Sequence, residues 1–337
     1  MRRVLEVLSV GPAVTIQDRG RPGYLASGLS QGGAADTLAL AQGAALLGQD
    51  GGLAALEMAG FGGLFGFAQD TRIALTGAPM RATLDGVPLA WNASNLVRAG
   101  QRLSLGAILA GVYGYLSLGG GIATVPVLGS RAAHLTAGLG GVVAAGDRLP
   151  LGPDKSTEVG LALAAPAHVG GGVVRVLPTA QTAIFAPADR ARFEATVFRR
   201  DSLGNRQGVR LSGGAAFATE GQRSLLSEIV QPGDIQMIGD GVPYVLLAEC
   251  QTMGGYPRIA TVVPDDLPIV AQAAPGDALR FRFVGEEEAL ADYRRRRPGG
   301  RLSVSIRRLL RDPREIADLL GHQLISGVTD GRGEGEA

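Results

Sequence analysis

Lysine is nearly absent from this chain: of 32 basic residues, Lys155 is the single lysine and the rest are arginine. That excludes a phosphate loop of the G-x-x-x-x-G-K-[ST] type and an M-K-M-like site for covalently attached biotin. Any phosphate or carboxylate recognised here must be held by arginine or by backbone N–H groups. Cysteine is equally scarce. Cys250 stands alone beside three histidines, His134, His168 and His322, which leaves no disulfide framework and no Cys/His zinc cluster within one chain. No metal site is expected, and the thiol usage fits a reducing, cytoplasmic setting. Net charge is missing too. With 32 Lys+Arg against 31 Asp+Glu the balance is +1, so no field favours nucleic acid or an anionic membrane surface.

The segment from Leu103 to Ser130 carries no formal charge, yet its seven glycines and Pro126 cut it into strand-sized pieces such as VYGYLSL at 112–118. It reads as buried strands and turns, not as a membrane helix. The opening VLEVLSV, interrupted by Glu6, reads as a first strand and not as a signal peptide.

What the chain does have is glycine, 52 residues of it, recurring as doublets such as Gly32-Gly33, Gly140-Gly141 and Gly254-Gly255. Frequent turns between short strands follow. Candidate strands lie at 4–10, 72–77, 112–118, 173–178, 243–250, 258–263 and 278–284, all rich in β-branched or aromatic residues. Helices are expected at 35–47, 188–198, 286–297 and 304–320. The fold class is therefore mainly β with few helices. Internal duplication is visible as well: AGQRLSLG at 99–106 recurs as AGDRLPLG at 145–152 and loosely as PGDALRF at 275–281, while QDRGRPGYLASG from Gln17 resembles RDSLGNRQGVRLSG from Arg200. These repeats divide the chain into two β-barrel-like subdomains, 1–165 and 172–284, with a helical, peripheral tail over 285–337.

Three segments could carry chemistry. In TIQDRGRPGYLASGLSQGGAAD, Asp18, Arg19 and Arg21 sit on a tight turn, and Gly32-Gly33 could offer backbone N–H groups to an anion just before a helix. The alternative is an Asp18–Arg21 pair that only orders the turn. GLSQG within this segment fits G-x-S-x-G, but the broken RPGYLAS before it is no buried strand, and neither Asp147 nor Asp201 is spaced to complete a triad with Ser30 and His134. In GSRAAH at 129–134, Ser130 lies in a turn, Arg131 supplies a fork for a carboxylate or phosphate, and His134 could act as acid or base. In QTMGGYPRIATV at 251–262, Gln251 and Thr252 offer polar groups at a strand end, Gly254 and Gly255 allow close approach, and Tyr256 leads into the next strand at Arg258.

Taken in series, TIQDRGRPGY, GGAAD, VLGSR, SEIVQPGDIQ and QTMGGYPRIATV resemble the allophanate-hydrolase-subunit-2-like, or biotin-dependent carboxyltransferase-like, family over residues 4–284. That family includes the C subunit of 5-oxoprolinase, the carboxyltransferase region of urea amidolyase and the antagonist of a sporulation-kinase inhibitor. The resemblance implies two cyclophilin-like barrels with the site between them, and Asp36 of GGAAD belongs to that site. It implies an enzyme active in complex with a subunit-1-like protein, akin to the B subunit of 5-oxoprolinase. In the 5-oxoprolinase case a protein akin to the A subunit joins them, and the complex uses ATP with Mg to open the lactam of 5-oxoproline to glutamate. Alternatives are a carboxyltransferase half that takes biotin from another chain to act on urea or a related amide, and a non-catalytic regulator. Relatives commonly read GSRSTY where GSRAAH stands, so His134 occupies a tyrosine position. They read SDRMGYR where RDSLGNR stands, which retains Asp201, Gly204 and Arg206. The resemblance makes His134, Asp18 and Asp201 the catalytic or orienting candidates, and the arginines and glycines above, with Arg206, the anion holders. Relatives usually carry a non-serine residue at position 30, so Ser30 is expected to be incidental.

Overall fold

Strand-forming stretches separated by glycine turns build two β units. The computed structural model describes residues 3–164, 168–217, 225–300 and 302–310. In the first unit, Val4–Val10, Phe61–Phe67, Arg102–Ile108 and Met80–Leu84, with Arg148–Pro150 and Val87–Pro88 at the edges, form a six-stranded antiparallel sheet. A seven-stranded sheet packs on it, built from Val14–Gln17, Ala55–Ala59, Tyr113–Leu118, Thr71–Gly77, Ala93–Val97, Leu161–Leu163 and Ile306–Arg308. Leu5, Phe65 and Leu103 from one sheet and Leu56, Ile73 and Leu116 from the other share a single apolar core.

Tyr113–Leu118 and Thr71–Gly77 are buried along their whole length because both faces of their sheet are covered. Helix α1 (Thr37–Leu46) lies on the face opposite the core. Gly43 permits that approach, since a Cβ there would sit 2.3 Å from Ser117 Oγ.

The second unit is a closed barrel of Gly172–Leu177, Arg258–Val262, Asp234–Met237, Pro243–Leu246, Gly208–Ser212, Phe198–Asn205 and Ala278–Phe283. Phe193, on helix α2 (Pro187–Ala195), joins Phe198, Phe217 and Phe281 in its aromatic centre. The barrel core continues without a break into Ala34, Ala35, Ala39, Tyr113 and Tyr115 of the first unit.

The first repeat has a structural counterpart. In all three copies a tight turn with glycine at positive φ (Gly100 85°, Gly146 92°, Gly276 92°) feeds a strand. The second repeat has none: Gln17 ends a strand that leads to a 3-10 turn at Leu25–Ser27, whereas Arg200 lies in a β-hairpin. Expected strand 243–250 leaves the barrel after Leu246, and its last residues turn toward the first unit, where Ala248 O accepts from Gly32 N (3.0 Å).

Helix α3 (Leu267–Gln272) precedes the last barrel strand and helix α4 (Glu286–Arg296) follows it, the latter with acids in its first turn and arginines in its last, as the helix dipole favours. The chain then returns to the first unit, where Ile306–Arg308 pairs antiparallel with Leu161–Leu163. The helix expected at 304–320 is therefore strand at its start, and residues 311–320 lie outside the described residues. The physical reason is a period of two: Val304 and Ile306 pack with Leu46 and Leu163, with serines between. Leu103–Ser130 holds two strands, and among the described residues no helix is long and apolar enough to cross a membrane.

Candidate functional site at the junction of the two units

Asp18 follows strand Val14–Gln17 and is 6% exposed. Its Oδ1 accepts from Gly20 N (2.8 Å) and Ser130 Oγ (2.6 Å), and its Oδ2 accepts from Arg131 N (2.7 Å). One buried carboxylate thus joins the first two motif segments across 112 residues. Arg131 spends its Nε–H on Thr124 O (2.7 Å) and so helps shape its own turn.

Arg21 does not pair with Asp18. It is 1% exposed, and one terminal nitrogen donates to Ala132 O while Nε and Nη1 have no partner among the described residues. Burial pushes its pKa down, opposed by the nearby charges of Asp18 and Glu249.

Gly32 and Gly33 take φ of 64° and 84°, and a Cβ on Gly33 would lie 2.6 Å from Gly20 N, so two backbones meet there. Four N–H groups here already have acceptors inside the protein. Gly32 N donates to Ala248 O (3.0 Å), Ala34 N to Asp18 O (2.9 Å), Ala35 N to Glu57 Oε2 (2.8 Å) and Asp36 N to the Tyr115 hydroxyl (2.8 Å). The carboxylate of Glu57 is held here by Ala35 N. Asp36 caps α1 through Ala39 N (2.8 Å), and its other oxygen accepts from Gln272 Nε2 (2.7 Å) and His168 Nε2 (2.5 Å). Asp36 raises the His168 pKa against the opposing effect of burial.

Arg206 crosses from the barrel to the first unit. It donates to Glu249 through Nε (2.5 Å), to Glu57 through Nη1 and to Gly33 O through Nη2 (2.5 Å). Burial works against its charge, but Glu57 and Glu249 more than offset it, so the guanidinium titrates above its ordinary range. Glu249, likewise penalised by burial, is held below the usual carboxylate range by Arg206. Glu57 also accepts from the Tyr115 hydroxyl (2.6 Å), whose pKa burial and Glu57 together raise.

His134 is 3% exposed, and its Nδ1 accepts from Ala137 N (3.2 Å). Nε2 therefore carries the proton and donates to Ser30 Oγ (2.9 Å). Glu249 Oε2 lies 3.8 Å from Nδ1, too far for a hydrogen bond. Burial lowers the His134 pKa, which keeps the ring neutral near pH 7. This arrangement makes His134 a donor to Ser30 and not its base, so Ser30 is no activated nucleophile. Nor is it incidental, since it is 2% exposed and bonded to His134.

Two groups of expected residues lie apart from this centre. Asp201 sits on the Phe198–Asn205 strand and serves its own hairpin, accepting from Leu203 N (3.0 Å) and facing Arg210 at 3.6 Å. Its distance from the centre follows from strand alternation beyond a register shift between Arg200 and Gly204. Arg258 binds Glu228, Asp234 (3.3 Å) and Ile229 O (3.0 Å). Gln251 donates to Gln236 (3.2 Å), Thr252 O accepts from Val230 N (3.0 Å), Gly254 makes room for Gln236, and Gly255 and Tyr256 are exposed. These contacts order one end of the barrel.

The model of the carboxyltransferase domain, subdomain A and B, matches residues 27–283. The chain belongs to this family. It is 36% identical to the 5-oxoprolinase C subunit of Escherichia coli (strain K12) over 292 residues, covering 85% of this chain and 93% of that protein. With the C subunit of the Haemophilus influenzae enzyme the identity is 34% at the same coverage. The solved structure of the Kluyveromyces lactis urea amidolyase superposes with a TM-score of 0.77 at 25% identity, over 86% of this chain and 19% of that one.

Within this carboxyltransferase-family chain, sequence reasoning missed Glu57, Glu249, Tyr115 and Gln272. The two glutamates had a readable signal, a lone carboxylate inside the apolar runs ALEMA and LLAEC, which requires a buried partner. Separately, a cleft of about 1290 Å³ opens beside α1 between the units. Arg72 and Arg297 on its wall are committed to Asp154 and Asp265, while Arg19 and Lys155 have no carboxylate partner among the described residues.

Proposed function

We propose that the chain is the C-type component of an ATP-dependent 5-oxoprolinase, opening the lactam of 5-oxoproline to glutamate with a B-type partner and an A-type third component. The observation that carries this reading is the near full-length likeness to two proteins named as the C subunit of 5-oxoprolinase, each covered over 93% of its length. By contrast, the urea amidolyase of Saccharomyces cerevisiae is 26% identical and is covered over only 16%.

A lactam carbonyl resists water, and ATP would turn its oxygen into a better leaving group. The residues present fit a bound nucleotide: the cleft beside α1 has the size, and Arg19 and Lys155 have the charge, to hold phosphates. No group of three or more His, Cys, Asp or Glu that could hold a metal is found among the described residues, so Mg²⁺ would arrive with the nucleotide. The substrate lies at the junction, where Arg21 is the buried cation and Asp18 positions the two turns around it. Arg206 is a positioning residue that holds the Gly33 backbone. A general-base role for His134 is dropped, because its Nε2 is a donor.

A second reading, a biotin-dependent carboxyltransferase half, is favoured by the structural likeness to the Kluyveromyces lactis urea carboxylase, with a TM-score of 0.76. Co-expression with the neighbouring genes of the B-type and A-type components, and an assay of ATP hydrolysis with and without 5-oxoproline, tests the proposal. Stimulation by 5-oxoproline is expected. Carboxybiotin consumption in place of ATP turnover would transfer the assignment to the second reading, and a tight partner complex without either activity would leave a non-catalytic regulator.

A further inference from the structure

Three donors at the junction are uncommitted. Arg21, 1% exposed, keeps Nε–H and Nη1–H without an acceptor among the described residues. Leaving such charged N–H groups dry costs more than a protein site normally tolerates, so they call for an acceptor. The carboxylates nearest in charge are already committed, Asp18 to Ser130 and to Gly20 and Arg131 N–H groups, and Glu249 to Arg206 and Thr136. The third donor is the Ser30 hydroxyl. His134 donates to Ser30 Oγ, so the serine's own proton is left to point elsewhere. Gly32 ties these groups together, for a Cβ on it would stand 2.9 Å from His134 Cδ2 and 3.5 Å from Arg21 Nη1.

We propose that Arg21 and Ser30 form a buried subsite for a single small carboxylate, with His134 orienting the serine hydroxyl toward it. An anion there neutralises a buried guanidinium that has no direct ion pair, which is where a carboxylate gains most. The subsite distinguishes a lactam that bears a carboxylate from neutral urea, and in this it rests on the 5-oxoproline reading and deepens it.

The test uses the full chain alone, without ATP or partners, ¹⁵N-labelled at its three histidines, with His134 assigned from a His134→Gln variant. Acetate, 5-oxoproline, 2-pyrrolidinone and urea are titrated while the His134 ring nitrogens are followed. Acetate and 5-oxoproline are expected to shift them saturably, and the two neutral amides to leave them unmoved. Ser30→Ala should weaken acetate binding about tenfold, the size of one charge-assisted hydrogen bond, and Arg21→Gln should abolish it. If Arg21→Gln does not fold, Ser30→Ala decides. Equal response to neutral amides and carboxylates would overturn the subsite, as would no response to acetate, which would mean that the free N–H groups serve water only. Saturable acetate binding without 5-oxoproline binding would uphold the subsite and count against the lactam reading.

Discussion

Arg206 and Arg258 belong to the same barrel and each faces two carboxylates, yet their surroundings differ. Arg206 reaches across to the first unit, where Glu57 and its barrel partner Glu249 are 2% and 1% exposed. Arg258 stays within the barrel, and its partner Glu228 is 51% exposed, leaving only Asp234 buried. Water can take over much of what Arg258 does. Nothing but protein can replace Arg206, which fixes the position of one unit on the other by bonding Gly33 O, Glu57 and Glu249 at once. Buried ion clusters of this kind set geometry more than they add stability, because desolvation offsets most of the attraction.

Arg206→Met is the strongest way to test that contrast. It strands two buried carboxylates and should cost about 3–5 kcal/mol in urea unfolding. Adding Glu57→Gln and Glu249→Gln to it should recover much of the loss, since the uncompensated charge goes with them. Next comes Tyr115→Phe, which removes the hydroxyl between Glu57 and Asp36 N and should cost about 1–2 kcal/mol in urea unfolding.

The Asp36–His168 contact supplies a pH-dependent step. Burial disfavours the charged histidine and Asp36 favours it, the net effect being a raised pKa. Its contribution is therefore complete below the ordinary histidine pKa of about 6.5 and is lost as pH rises through the higher folded value. His168→Gln should flatten that part of the stability profile above about pH 6.5, and an unchanged slope would remove the ion pair from the account. The smallest effects are expected at the exposed side of the Arg258 cluster. With Glu228 half in water Arg258→Met should cost less than Arg206→Met, and Glu228→Gln no more than about 1 kcal/mol. Equal losses at Arg206 and Arg258 would erase the distinction between the two clusters.

The tail shows where pattern reading reaches its limit. Arginine-rich residues after Val304 look helical by composition, but the alternation Val304, Ser305, Ile306 answers to an open strand edge at Leu161–Leu163. That edge is formed by residues far earlier in the chain, and no local window contains it. In the same way Asp201 has the residue type of an orienting acid, yet the hairpin's register points it at Arg210.

Composition and local pattern by themselves determined the mainly β class, the lack of a disulfide or zinc framework within one chain, and the turn-to-strand units at Gly100, Gly146 and Gly276. These follow from short-range rules: glycine at positive φ, strand propensity, and the polarity of a turn. Tertiary structure alone decided that Glu57 accepts from Ala35 N, that Arg206 binds it from 149 residues away, and that Ser30 meets His134 across 104 residues. A buried charge or hydroxyl acquires its role from the partner that removes its desolvation cost, and that partner is chosen by the packing of the two units, not by its neighbours along the chain.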